Sequence, residues 1–390
     1  MKILIVSHEY PPVGGGGANA CMHLARSYAR LGHETDIITV WYDGLKEEET
    51  VSGYGKDIHI TRLKAKRKNK EHCSFAEMLD FLLKSKGFAD RAVKKAKNAN
   101  APYDICQIFF GIPSGPVGLI LKKKYKLPYV IRFGGGDIPG FQDRFAGVYK
   151  LIAPAIKIIW KNADSLVANS VGLKELAEGF CDRYPILVFN NGVDTDMFTS
   201  PQGRTYEKES INLLFVSRLI ERKGLQYVLP YLRKLEDETG KKISFTIVGD
   251  GPYRETLEQI AKESGTSDMI EFVGQKDKDE LLPYYQSSDI FVFPSKKEGM
   301  PNVVLEAMAC GLPVCMSSCQ GSSELIDGNG MVAPLDLSVF SGYLKKMLSA
   351  TPKELERMSE ESRRRAVEIF SWKKTADSYL SLFESITGKG

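Results

Sequence analysis

The sequence predicts an α/β protein made of two doubly wound units. Two observations lead there. Apolar strand-like runs alternate with amphipathic helix-like segments along the whole chain, the pattern of parallel sheets covered by helices. That alternation also starts afresh after residue 210, behind a polar, aperiodic stretch at 196–210 that carries Pro201 and Gly203. A chain of 390 residues is long enough for two domains. The expected division is 1–195, a linker at 196–210 and a second unit at 211–370, followed by a terminal helix at about 371–390.

In the first unit the strand candidates are Lys2–Ser7, Thr35–Val40, Ile105–Phe110, Tyr129–Phe133 and Ser165–Ala168. Helical periodicity marks Ala18–Leu31, Phe75–Lys97 and Val117–Tyr125 between them. The second unit offers Asn212–Val216, Phe245–Val248, Ile270–Val273, Ile290–Phe293 and Val314–Met316 as buried strands. Its helices are expected at Gly224–Glu238, Tyr253–Lys262, Asp279–Gln286 and Val303–Ala309, with Asp279 and Asn302 as N-caps. Ser371–Thr387 also reads as helical. Ligands of doubly wound sheets sit beyond the carboxyl ends of the strands. With two such units, the cleft between them is the expected site.

Composition excludes several classes. There is no run of about 18 apolar residues, and the first apolar run, Ile3 to Val6, leads into a Pro/Gly-rich turn, so neither a spanning helix nor a signal peptide is read. A cytoplasmic protein is expected. The seven cysteines are scattered and form no CxxC pair; Cys310, Cys315 and Cys319 have no histidine after them, so they read as small buried thiols. The first 204 residues hold 29 Lys and Arg against 21 Asp and Glu, and the remainder 24 against 28. The basic excess therefore belongs to the first unit, but no nucleic-acid module accompanies it.

Three segments carry chemistry. Pro11-Pro12-Val13-Gly14-Gly15-Gly16-Gly17 follows the first strand and opens a helix. Its glycines let backbone approach a ligand closely, and the helix start offers free N–H groups to a phosphate or a carbohydrate oxygen. In Ser217–Gly224, Arg218 directly follows the first strand of the second unit and Lys223 precedes the next helix. Two cations so placed suit a diphosphate, Arg as a fork and Lys as a point charge. In Glu298–Ala307, Asn302 would start a helix and leave the Val303 and Val304 amides for a phosphate. Glu298 could then face a sugar and Glu306 the vicinal hydroxyls of a ribose. Gly249-Asp250-Gly251, with Glu271 twenty residues after Gly251, imitates a dinucleotide fingerprint. Arg254 replaces the third glycine, so a glycine turn near donor phosphates is the better reading of Gly249.

Together these segments resemble family 4 of the retaining glycosyltransferases, also called group 1. The likeness runs from His8-Glu9-Tyr10-Pro11-Pro12 through Asn191-Gly192-Val193-Asp194, Ser217-Arg218-Leu219 and Val248-Gly249-Asp250-Gly251-Pro252 to Ala307–Val314. Its most specific piece is the glutamate pair Glu298 and Glu306. The resemblance implies the GT-B fold: two Rossmann-like domains facing each other across a cleft, acceptor side first, with the last helix returning to the first domain. It implies that Arg218 and Lys223 bind the donor diphosphate, Glu298 the transferred sugar and Glu306 the ribose. The backbone near Gln275 would meet the base, and Gly16 and Gly17 would approach from the opposite wall. No cofactor or metal is implied; the donor substrate would be a UDP- or GDP-sugar. Many relatives carry His-Gly-x-Asp after a mid-domain strand. Here Gly134 stands at the His position, while Asp137 is kept; His8 and Arg132 are the acceptor-side candidates to supply the missing contact.

Lys64, Lys66, Arg67, Lys68, Lys70, the lysines at 94–97 and 122–126, and the segment Tyr149–Lys161 with Trp160 make the first unit basic. Such a face could dock on anionic lipid, which suits a glycan or lipid-linked glycan acceptor in cell-surface glycan, polysaccharide or glycolipid synthesis. Alternative readings are a nonhydrolysing sugar-nucleotide epimerase, and a non-catalytic sugar-nucleotide-binding protein.

Overall fold

The computed structural model describes residues 1–70, 72–141, 146–319 and 321–389. The chain divides into two compact units: Met1–Asn191 with Trp372–Gly390, and Gly192–Ser371.

The first unit holds, among the described residues, strands β1 (Lys2–Ser7), β2 (Glu34–Val40), β3 (Glu48–Val51), β4 (Ile58–Leu63), β5 (Ile105–Phe109), β6 (Tyr129–Arg132), β7 (Ser165–Ala168) and β8 (Ile186–Val188). Their order is β3-β4-β2-β1-β5-β6-β7-β8, with only the β3–β4 pair antiparallel. β1 is buried on both faces, which is why it reads as a continuous apolar run. Successive residues serve opposite cores. Leu4 and Val6 pack on the side of α2 (Phe75–Asn98), α3 (Gly111–Tyr125) and α4 (Ala146–Asn162); Ile3 and Ile5 pack on the side of α1 (Gly16–Arg30). α5 (Val171–Phe180) links β7 to β8. Helix α2 starts where Ser74 and Glu77 cap each other reciprocally, satisfying two backbone N–H groups.

The second unit holds β9 (Ser210–Val216), β10 (Lys242–Val248), β11 (Ile270–Gly274), β12 (Ile290–Phe293), β13 (Val314–Ser317) and β14 (Gly330–Ala333), in the order β11-β10-β9-β12-β13-β14, with every pair parallel. Around it lie α6 (Leu232–Thr239), α7 (Arg254–Glu263), α8 (Leu282–Ser287), α9 (Asn302–Ala309), α10 (Ser322–Leu325), α11 (Phe340–Leu348) and α12 (Pro352–Glu368). The last helix, α13 (Trp372–Thr387), belongs to the first unit; residue 390 lies outside the described residues. Trp372, Ala376, Tyr379 and Phe383 of α13 join the α1-side core, where Trp372 stacks on His23 at 5.2 Å.

Several local expectations need correction. The stretch 196–210 is not a linker: Phe198 and Tyr206 are fully buried in the second unit's core, and Arg204 donates to the carbonyls of Tyr285 and Cys310. Residues 224–238 are not one helix. Three short 3-10 turns precede α6, because Gly224 sits at φ 79° and Pro230 has no N–H to donate. Asp277, not Asp279, caps the turn before α8, and Pro301 takes the cap position of α9, with Asn302 as its first residue. Trp160 points inward, edge-on to Phe180 at 5.3 Å. β3, β4, β8 and β14 were not anticipated.

Candidate active site

In each unit the chain leaves a central strand in one direction and resumes on its other side. This leaves a crevice at the carboxyl ends, the usual ligand position of a doubly wound sheet. In the second unit the switch lies between β9 and β12. Arg218 and Lys223 follow β9; Glu298 and α9 follow β12. The fold thus gathers residues that are about 80 positions apart in sequence.

Three glycines make the close approach of these loops possible. A Cβ on Gly224 would lie 2.0 Å from the Pro294 carbonyl oxygen, one on Gly249 1.9 Å from that of Ser217, and one on Gly251 2.3 Å from that of Leu219. The Leu219 N–H donates to the Asp250 carbonyl at 2.9 Å, tying the β9 and β10 loops together. Gly249 therefore acts by packing directly under the backbone that carries Arg218.

The Lys223 ammonium donates to Glu298 Oε1 at 2.6 Å and stands over the Phe293 ring at 5.0 Å. Lys223 is only 8% exposed. Burial lowers its pKa, opposed by Glu298 and reinforced by the cations of Arg222 and Arg218. That last effect places Arg218 within electrostatic reach of Lys223. Glu298 Oε1 also accepts from the Ser295 hydroxyl at 2.7 Å and lies 3.8 Å from Arg222. One carboxylate is thus fixed by a lysine and a serine among three cations. Such a set can hold a diphosphate and orient a hydroxyl.

Glu306 lies in α9 and is almost fully buried. Burial raises its pKa, opposed by Lys278 and by the Tyr285 hydroxyl. Tyr285 donates to Oε2 at 3.0 Å, and the Lys278 ammonium stands 3.5 Å from Oε1. The longer contact is one a ribose hydroxyl can replace. At the start of α9, the Val304 N–H already donates to the Pro301 carbonyl at 3.1 Å, so it is not the free amide anticipated. Asn302 and Val303 occupy the first two helical positions. Gln275 is exposed just after β11. Sequence reasoning missed Ser295, Tyr285, Lys278 and Arg222. None has a motif of its own; only the fold brings them to the two glutamates.

In the first unit the switch lies between β1 and β5. His8 follows β1, Phe110 follows β5 and Gly134 follows β6. Gly16 begins α1 and is exposed; Gly17 lies beneath the Phe110 ring. His8 is buried, and burial pushes its pKa down to about 4, opposed by Glu9 and reinforced by Arg67. It is a neutral imidazole at neutral pH. Asp137 accepts from the Gly111 N–H at 2.6 Å and the Gly134 N–H at 2.8 Å. Its carboxylate pins the β5 and β6 loops together, and burial raises its pKa against those bonds. The Arg132 guanidinium is buried and donates to Asn191, with the Phe109 ring at 5.2 Å. These contacts engage Arg132 in tying β6 to the end of the unit.

The model described as Glycosyltransferase Family 4 matches residues 14–197, and that described as Glycosyl transferases group 1 matches residues 198–365. The chain is 29% identical to an uncharacterised glycosyltransferase of Methanocaldococcus jannaschii, over 98% of both chains. It is 26% identical to the glycogen synthase of Mycobacterium tuberculosis strain H37Rv, over 98% of this chain and 94% of that one. Among solved structures, the sucrose-phosphate synthase of Thermosynechococcus elongatus superposes with a TM-score of 0.80 at 21% identity, covering 100% of each chain. The fold is GT-B. The protein belongs to the group 1 glycosyltransferases.

Proposed function

We propose that the protein is a retaining glycosyltransferase that moves a sugar from a UDP- or GDP-linked donor to an acceptor hydroxyl. The observation that supports this most is the cluster of Arg218, Lys223 and Glu298 at the switch point of the second sheet, with the buried Lys223–Glu298 pair at 2.6 Å. In this reading the bond between the anomeric carbon and the phosphate oxygen breaks. The acceptor oxygen bonds to the same face of that carbon, and its proton passes to the leaving phosphate oxygen. Arg218 and Lys223 take up the negative charge shed onto the diphosphate, and Glu298 fixes the sugar. Preorganised charge of this kind is commonly the largest part of catalysis. Glu306 holds the ribose, Gln275 lies beside the base, and Gly249 and the start of α9 line the phosphates.

A thermal-shift panel of UDP-, GDP- and ADP-sugars tests the reading. Donor binding at 100 times Kd adds about 2.7 kcal/mol of stability, so a true donor raises Tm clearly. A flat response to every donor rejects it. Since the cations replace a metal bridge, transfer in excess chelator is expected to proceed at the untreated rate. Loss of turnover that Mg²⁺ or Mn²⁺ restores would remove the metal-independent mechanism.

The acceptor is a glycan or lipid-linked glycan, and the protein works at the cytoplasmic face of a membrane. Helix α4 supports this. Leu151 is 82% exposed and Ile158, two turns on, 50%; exposed Lys150, Lys157 and Lys161 border them. Apolar residues beside lysines suit an anionic lipid surface. Among the described residues no helix is long and apolar enough to cross a membrane. The double variant Leu151→Glu/Ile158→Glu is expected to lose sedimentation with phosphatidylglycerol vesicles while keeping the wild-type Tm. Undiminished sedimentation would remove the membrane assignment.

A further inference from the structure

The outer strands of the first sheet turn polar side chains toward α2, although strands covered by a helix are normally apolar there. On β4, Ile58 and Ile60 enter the α1-side core, so the alternation of the strand sends His59 and Thr61 to the other face. On β3, Thr50 stands opposite His59, its hydroxyl 3.1 Å from Nδ1, and Glu48 stands opposite Thr61. Helix α2 answers with alanines: Ala92, Ala96 and Ala99 share one helical face. Alanines opposite polar strand residues leave the space between them unfilled. The result is a groove of about 620 Å³, with Leu4 and Ile38 of the core as its apolar floor. That volume suits a small-molecule site. The groove lies on the amino-end half of the sheet, beside Lys2 of β1 and Asp36 of β2, whereas the crevice between β1 and β5 lies at the carboxyl ends.

We propose that this groove binds a neutral oligosaccharide. Sugar hydroxyls both donate and accept hydrogen bonds, and sugar C–H faces pack on aromatic rings. The walls offer partners for each. Three carboxylates line the groove, those of Asp36, Glu48 and Glu49, against three cations, Lys2, Arg91 and Lys95. The signs balance, so no net field selects an ionic ligand. Glu48, Arg91 and Lys95 make no ion pair among the described residues, which leaves their hydrogen bonds open to hydroxyls. Asp36 is held in place by the Tyr103 hydroxyl, which donates to its Oδ2. The half-buried rings of Phe88 and Tyr103 line the same groove and supply the apolar contact. The ligand class rests on the transferase reading above: an enzyme that acts on a glycan stays on it longer when a second contact raises the effective concentration of the first.

The test is affinity electrophoresis of the full chain in native gels carrying an α-glucan, an α-mannan or a β-galactan. Wild type runs beside Glu48→Ala/His59→Ala, which removes two exposed wall residues, and Ala96→Trp, which fills the groove. Tm shifts on UDP- and GDP-sugars are measured on the same proteins. Wild type is expected to be retarded by at least one polysaccharide, in low and high salt alike, because salt screens ion pairs and not hydrogen bonds to neutral sugars. The apparent Kd is expected to rise about tenfold or more in each folded variant, the loss typical of a hydrogen bond to a charged group, with donor Tm shifts unchanged. No retardation by any of these polysaccharides overturns the inference, as does equal retardation of wild type and folded variants; normal donor shifts then leave the transferase reading standing. Retardation that high salt abolishes marks an ionic ligand and overturns it too. Retardation weakened in the variants, with no Tm gain from any nucleotide sugar, keeps the groove and removes the transferase reading.

Discussion

Lys223→Ala is expected to lower kcat/KM for sugar transfer by about 10²–10³-fold, the loss typical of one preorganised charge-stabilising group, ~3–4 kcal/mol. The loss comes from two sources. The departing diphosphate loses a nearby cation. Glu298 also loses its 2.6 Å partner while remaining mostly buried, and a carboxylate left alone in a buried site repositions or takes up a proton. Glu298→Ala is expected to cut transfer steeply as well, but by a different route: the sugar loses its carboxylate, and the buried Lys223 loses the partner that opposes the lowering of its pKa. Steady-state kinetics with the donor found in the thermal-shift panel, alongside Tm of each variant, separates chemistry from folding. Near-normal turnover in either variant contradicts the assigned roles.

Gly249→Ala is expected to destabilise the second unit by more than about 2 kcal/mol, the range of severe local backbone conflicts. The residue sits at φ 136°, and its new Cβ would fall 1.9 Å from the Ser217 carbonyl oxygen. Backbone on both sides must give way, so the loop carrying Arg218 moves with it. Urea unfolding should show an earlier midpoint, and the folded fraction should bind donor weakly. Gly342→Ala, inside α11 of the same unit, is the control: nothing lies within 4 Å of its Cβ position and its backbone is helical. A Gly249→Ala protein as stable as that control would show that the loops can part freely.

Buried strands such as Lys2–Ser7 and Ile290–Phe293 were legible to the residue, because parallel strands covered on both faces are short unbroken apolar runs. β4 was missed although IHITRL alternates cleanly, and β3 beside it is half exposed and rich in glutamate. β3, at the sheet edge, buries too little to leave a strong pattern. Arg218, Lys223 and Glu298 were legible as candidates by their places after strands. Their partners were not. Ser295 looks like any loop serine until its hydroxyl is seen 2.7 Å from Glu298. Tyr285 lies in a helix and gains meaning only 3.0 Å from Glu306. The positive φ of Phe110 was hidden too, since residue type gives no hint that a bulky aromatic will adopt a glycine-like backbone. Asn302 misled as a cap because Pro301, which ranks low as a cap residue, takes that place.

The return of α13 has a consequence for synthesis. As the nascent chain leaves the ribosome, residues up to Asn191 emerge first, yet the surface of α1 that Trp372, Tyr379 and Phe383 cover stays bare until the final segment follows. The unit built second can close first, because its whole span is then already outside the exit tunnel. The unit begun first finishes last, with an oily flank open to chaperones in the interval.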